Sequence, residues 1–184
     1  DTATFYSISN CQEGLARVTL GNFLIKRVVF ELQEELPNIK NFGTLSPIPG
    51  FKEWCSYLEK EKMINIIGKT SYENISFLKS SNVKIGDSRI VTYQSDLIKL
   101  VAHYLMNEKN KKKLPINDVC RFHLGNGAII DDIIVNANIS EVGFERSFGV
   151  MVNYLYELKN IEKNHEEYIN LKKIIISNKL KKKL

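Results

Sequence analysis

Residues 22–36, NFLIKRVVFELQEEL, place Phe23, Val28, Leu32 and Leu36 at helical spacing and stop at Pro37. Proline cannot continue a helix, because it has no N–H to give and its ring clashes with the preceding turn. The helix this predicts stands between two segments of the opposite preference. Before it, residues 3–9 (ATFYSIS) are rich in β-forming side chains, and NCQEGLARVTLG (10–21) then supplies glycines and polar groups suited to a loop. After it, NFGTLSP (41–47) reads as a short strand ending in a proline turn. Strand, loop, helix and strand within fifty residues hold the chain to a fold that mixes the two element types.

The rest of the sequence keeps that mixture, without an internal repeat. FKEWCSYLEKEKM (51–63) reads as a helix with Trp54 and Leu58 on one face, and residues 70–80 carry a weak helical pattern. Residues 94–108 carry a stronger one, with Leu97, Leu100, Val101, Tyr104 and Leu105 inward and His103 off that stripe, at the surface. DVCRFHL (118–124) alternates, which predicts a strand with Cys120, Phe122 and Leu124 on one face and Arg121 and His123 on the other. GNGA then turns the chain into IIDDIIVNANIS. A last helix is expected from about Ser140, with Phe148, Met151, Val152 and Leu155 at core spacing and Tyr156 beside them.

Composition narrows the function classes. With 184 residues and 43% hydrophobic content the chain can bury one real core, and no run approaches the roughly 18 apolar residues of a membrane span. The net charge of +5 would suit an anionic partner, but 21 of the 26 basic residues are lysine. They collect at 109–113 (KNKKK) and 179–184 (KLKKKL), which read as a solvated loop and a frayed tail rather than as an arginine-based nucleic-acid surface. Cys11, Cys55 and Cys120 are widely spaced and odd in number, so they predict reduced thiols, no zinc site and a reducing compartment.

Three places could carry chemistry. In TLSPIPGF (44–51) Pro47 and Pro49 bias Ser46 and Ile48 away from helix, which serves a turn and also a hydroxyl that must not move. Gly14 and Gly21 bracket a loop that leads into a helix, where unpaired N–H groups and the helix dipole suit a phosphate; an ordinary strand-to-helix connection would look the same. His123 could serve as a general acid or base if it has a partner, and a structural hydrogen bond would account for it equally.

Taken together, FYSISNCQEGLARVTLGNFLIKRVV, TLSPIPGF, RFHLGNGA and GVMVNYLYEL resemble the catalytic domain of the malonyl-CoA decarboxylase family, over most of residues 3–158 and in the family's order. The resemblance implies an α+β, acyl-CoA N-acetyltransferase-like (GNAT) mixed sheet flanked by helices. It also implies an enzyme that converts malonyl-CoA to acetyl-CoA and carbon dioxide in fatty acid metabolism, without a metal or organic cofactor. By motif, the catalytic residues fall on Ser46 and His123, with Tyr156 near the site. The loop that takes the CoA pyrophosphate falls on Ala16, Arg17, Val18, Thr19, Leu20, Gly21 and Asn22. Thr19 stands where some members are acidic. The family chain is longer, with a helical domain and the first elements of the acetyltransferase fold ahead of this segment.

The sequence is therefore expected to be the C-terminal part of that domain over residues 1–160, with a helix and Lys-rich tail over 161–184. The opening strand is expected to be central in the complete sheet. A homo-oligomer through the N-terminal helical domain, a cytoplasmic location (with mitochondrial matrix or peroxisome as variants) and no membrane or nucleic-acid partner complete the expectation. Two other functions remain open at this point. An N-acyltransferase using the same CoA site would release CoA in an amine-dependent way, and an inactive basic module would bind in a salt-dependent way, indifferent to Ser46.

Overall fold

The computed structural model describes residues 1–6, 21–80 and 82–184, with side chains from Ile25 onward in the first helix. Strand β1 (Thr2–Phe5) is followed by α1 (Gly21–Glu35) and β2 (Asn41–Pro47). Helices α2 (Phe51–Tyr57), α3 (Lys60–Ile67), α4 (Lys69–Ile75), α5 (Ser88–Thr92), α6 (Gln94–Met106) and α7 (Asp118–Gly125) come next. The chain closes with β3 (Ile129–Ile134), α8 (Glu141–Ser147), β4 (Met151–Leu155), α9 (Ile161–Leu171) and α10 (Asn178–Lys181).

The four strands form one mixed sheet in the order β1-β2-β4-β3. β1 and β2 are parallel, which needs a crossover, and α1 lies within it. β4 runs antiparallel to both β2 and β3, and sets Thr44 opposite Tyr154 and Ser46 opposite Val152. Side chains alternate across a strand, so Thr44, Ser46, Val152 and Tyr154 share the face that packs on the helical layer. The mixed α+β class is the one expected. β1 is an edge strand here, with β2 its one neighbour among the described residues.

Several expectations are corrected. Residues 118–125 are helical, not a strand: the Asn117 side chain accepts the Cys120 N–H at 2.8 Å, and Cys120, His123 and Leu124 are the buried set. That spacing of three and four is a helix face; the alternation of Phe122 and Arg121 about it imitated a strand. The expected last helix breaks after Ser147, because Phe148 (φ 53°) and Gly149 (φ 77°) are both left-handed. The chain then pairs as β4, where Val152 and Tyr154 are buried by a period of two.

The stretch 51–63 is two helices, parted at Leu58, whose extended backbone ends α2. Trp54 is half-buried, while Phe51, Cys55 and Leu58 are in the core. On α1 the inward stripe is Ile25, Val29 and Leu32; Leu36 is 48% exposed. His103 is half-buried rather than on the surface, stacked on Trp54 with ring centroids 6.2 Å apart. All five core positions expected on α6 are buried.

Nor is the C-terminal tail frayed. Ile130 N–H donates to Ile175 C=O and Ser177 N–H to Ile130 C=O, both at 3.0 Å, so the tail adds a short bridge beside β3. Leu180 is fully buried, and Lys179 and Lys183 both pair with the buried Asp132. The 109–113 lysines do lie in an exposed loop. Among the described residues no helix is long and apolar enough to cross a membrane.

Candidate active site

Ser46 sits one residue before the end of β2, and Gly50, with φ 82°, turns the chain from there into α2. The turn is tied down through one carbonyl. Pro49 O accepts the Tyr104 hydroxyl at 3.1 Å and the Asn117 side-chain amide at 3.0 Å. Asn117 also caps α7, so a single side chain, 2% exposed, fastens the serine turn to the helix that carries the histidine.

From α7, His123 reaches the sheet at Ser46: Nε2 and Oγ are 3.0 Å apart. Its other nitrogen, Nδ1, is 2.8 Å from the Tyr156 hydroxyl, which is placed by the backbone bond from Tyr156 N to Phe42 O just past β4. The Ser46 hydroxyl lies 3.1 Å from Thr44 Oγ1, within hydrogen-bond distance. The Tyr154 ring stacks on the imidazole at 4.4 Å, and Phe122 meets it edge-on. Tyr156, His123, Ser46 and Thr44 thus form one continuous chain of polar contacts, each residue no more than 5% exposed.

Burial sets the electrostatics. It pushes the His123 pKa down to about 3 from the usual 6.5, so the imidazole is neutral at pH 7, and it raises the Tyr156 phenol well above its usual range. Among the described residues no charged neighbour enters into either shift. Cys55 and Cys120 are buried and unpaired, and burial likewise raises both thiols. Cys11 lies outside the described residues. Among the described residues no group of His, Cys, Asp and Glu gathers as metal ligands.

The three expected catalytic positions, Ser46, His123 and Tyr156, are therefore together. Tyr156 arrives by strand rather than by helix. The expected phosphate loop, Ala16 to Leu20 with Arg17, Val18 and Thr19, lies outside the described residues, and Gly21 and Asn22 open α1. Thr44 and Tyr154 were missed. Thr44 was within reach of the period-of-two rule, two residues before Ser46 on an expected strand, whereas Tyr154 was hidden while its segment read as a helix. The signal for Asn117 was its place as a helix-capping residue type three before Cys120, hidden while 118–124 read as a strand.

Comparison with known proteins follows the same lines. The family model of the malonyl-CoA decarboxylase C-terminal domain matches residues 1–184. The chain is 38% identical over 191 residues to "Malonyl-CoA decarboxylase, mitochondrial" of Anser anser anser, covering 94% of this chain and 38% of that protein. It is 37% identical over 196 residues to the protein of the same name from Rattus norvegicus, covering 97% of this chain and 40% of that protein. The crystal structure of malonyl-CoA decarboxylase from Rhodopseudomonas palustris superposes with a TM-score of 0.86 at 38% identity, over 99% of this chain and 42% of that one. That from Cupriavidus metallidurans gives 0.82 at 36%, over 100% and 48%. The chain spans less than half the length of the curated relatives it matches.

Proposed function

The chain belongs to the malonyl-CoA decarboxylase family, and from that premise we propose that the complete protein decarboxylates malonyl-CoA to acetyl-CoA and carbon dioxide at the Ser46–His123 pair. The observation that carries this reading is the 3.0 Å contact between Ser46 Oγ and His123 Nε2 in a buried seam where, among the described residues, burial alone shifts the imidazole. Decarboxylation breaks the bond between the α-carbon and the carboxylate and leaves its electron pair in the thioester enolate. The thioester is the electron sink. The protein must hold the carboxylate out of the thioester plane and return a proton to carbon.

A neutral seam suits an anionic substrate. When the malonyl carboxylate enters, its charge favours the protonated imidazole and raises the His123 pKa from its depressed value, so the acid forms where the anion is bound. The Ser46 hydroxyl, fixed by the Pro47 and Pro49 turn, donates to the substrate oxygen. As carbon dioxide leaves, His123 gives its proton to the α-carbon, and solvent later restores it. Removing water from around the carboxylate adds to the driving force, and the 5% exposure of Ser46 fits that. Tyr156 holds the imidazole through Nδ1.

The CoA pyrophosphate is assigned, on the family resemblance, to the segment Ala16 to Asn22 at the start of α1. The acetyltransferase-like (GNAT) fold and a homo-oligomer belong to the same reading. So does a reducing compartment, the cytoplasm or the mitochondrion, and the two curated relatives carry the word mitochondrial in their names. In the complete protein, Ser46→Ala and His123→Ala should each lower kcat by roughly 10² or more while CoA affinity stays near that of the parent. Near-parental turnover in either variant would make that residue structural.

A further inference from the structure

The polar chain in the seam has two possible directions, and the chemistry of its ends chooses between them. In one, the Tyr156 hydroxyl donates to His123 Nδ1, Nε2–H donates to Ser46 Oγ, and Ser46 donates to Thr44 Oγ1. In the other, every donor and acceptor is exchanged: Thr44 donates to Ser46, Ser46 to Nε2, and Nδ1–H to Tyr156. Each direction leaves one hydroxyl hydrogen at an end of the chain, on Thr44 or on Tyr156.

Two arguments favour the first direction. A phenol is a stronger donor and a weaker acceptor than an alcohol, so the chain gains most when it starts at Tyr156 and finishes at Thr44. The left-over hydrogen is also easier to place at Thr44, whose hydroxyl turns through staggered positions, than at Tyr156, whose hydrogen is confined near the ring plane at 1% exposure. The contact itself is built into the strand, because Thr44 and Ser46 stand two apart on β2, on the same face.

We propose that Thr44 is a positioning residue which, by accepting the Ser46 hydroxyl proton, leaves Ser46 Oγ free to accept Nε2–H and so holds His123 in the Nε2–H tautomer. Thr44 acts through Ser46. The imidazole then faces the reaction as a donor, and Ser46 holds its own proton ready to pass from Thr44 to an entering carboxylate or thioester oxygen. A serine whose proton was already committed to Nε2 would offer the substrate a lone pair instead. This deepens the decarboxylase reading and rests on it for the substrate, whereas the tautomer is a property of the protein alone.

The test uses the complete protein labelled with ¹⁵N in histidine, read by the long-range ¹H–¹⁵N spectrum of His123 with no ligand present. The parent should show a pyrrole-type Nε2 and a pyridine-type Nδ1. Thr44→Val should shift His123 toward a tautomer mixture and lower kcat about tenfold, the size of one hydrogen bond to a reacting group, with CoA affinity unchanged. Thr44→Ser should restore both. A parent spectrum with the proton on Nδ1 would overturn the proposal whether or not any variant folds. So would a Thr44→Val spectrum identical to the parent. Absence of turnover in the parent would defeat the decarboxylase reading instead, and the spectrum would still decide the tautomer.

Discussion

In the seam between β2 and α7, Thr44, Ser46, His123 and Tyr156 are buried with hydrogen bonds and no charge; at the edge strand β3, Asp132 is as deeply buried but ionised. Burial works against the Asp132 carboxylate, yet the Lys179 and Lys183 ammonium groups hold its pKa below the ordinary value. The two regions solve one problem, polar atoms away from water, in opposite ways. At Asp132 the charge is matched twice over by cations on the chain, so nothing is left for a ligand to complete. In the seam the imidazole is held neutral, and an arriving anion is what would complete it. A buried site with its charges already balanced suits structure, and one that lacks a charge suits chemistry on a charged substrate.

Acid separates the two most strongly. His123 has a folded pKa below its unfolded one, so the unfolded state takes up the proton first, and stability should fall as pH drops from about 6.5 toward 3. The loss should be on the order of a few kcal/mol. Asp132 also has a lowered folded pKa, but its contribution is complete above its unfolded value near 3.8 and is lost only below that. Urea unfolding followed across pH should therefore show an upper slope that His123→Phe removes and a lower one that Asp132→Asn reduces, Asp87, Glu162 and Glu167 contributing the rest. A single slope below pH 4, untouched by His123→Phe, would erase the distinction.

Smaller effects sharpen it at the β3 edge. Asp132→Ala strands two lysines and the Ile133 N–H that the carboxylate accepts, and should cost about 1–3 kcal/mol and expose residues 172–184 to limited proteolysis. Turnover per folded molecule should hold. Lys179→Ala leaves Lys183 in place and removes a partner whose side chain is 59% exposed, so it should cost no more than about 1 kcal/mol. Equal losses from the two variants, seen by thermal unfolding, would show that the carboxylate is not the shared anchor.

Legibility followed the kind of signal. The helix α6 was plain because Leu97, Leu100, Val101, Tyr104 and Leu105 all obey one period and all are buried. The proline turn at Ser46 was plain because its constraint is local. The placement of His123 was misread because seven residues can satisfy a period of two and a period of 3.6 together, and the arbiter was a cap, Asn117, outside the window. β4 was lost for a similar reason: a helix pattern was extended across Phe148 and Gly149, and a non-glycine residue at φ 53° leaves no mark in composition. The docked tail depended on Asp132, some fifty positions away, and no local pattern reports a partner at that range. The pairing of Ser46 with His123 came from resemblance, since 77 residues separate them.

The neutral seam is tested most directly by one titration, that of His123 by ¹H–¹⁵N spectroscopy in the complete protein, free and with a malonyl-CoA analogue that keeps the carboxylate but cannot lose it. Free, His123 should stay neutral throughout the range between pH 7 and 5; with the analogue bound, its pKa should rise, with proton uptake on binding. A free imidazole that titrates near 6.5, or one whose pKa does not move when the carboxylate binds, would contradict it.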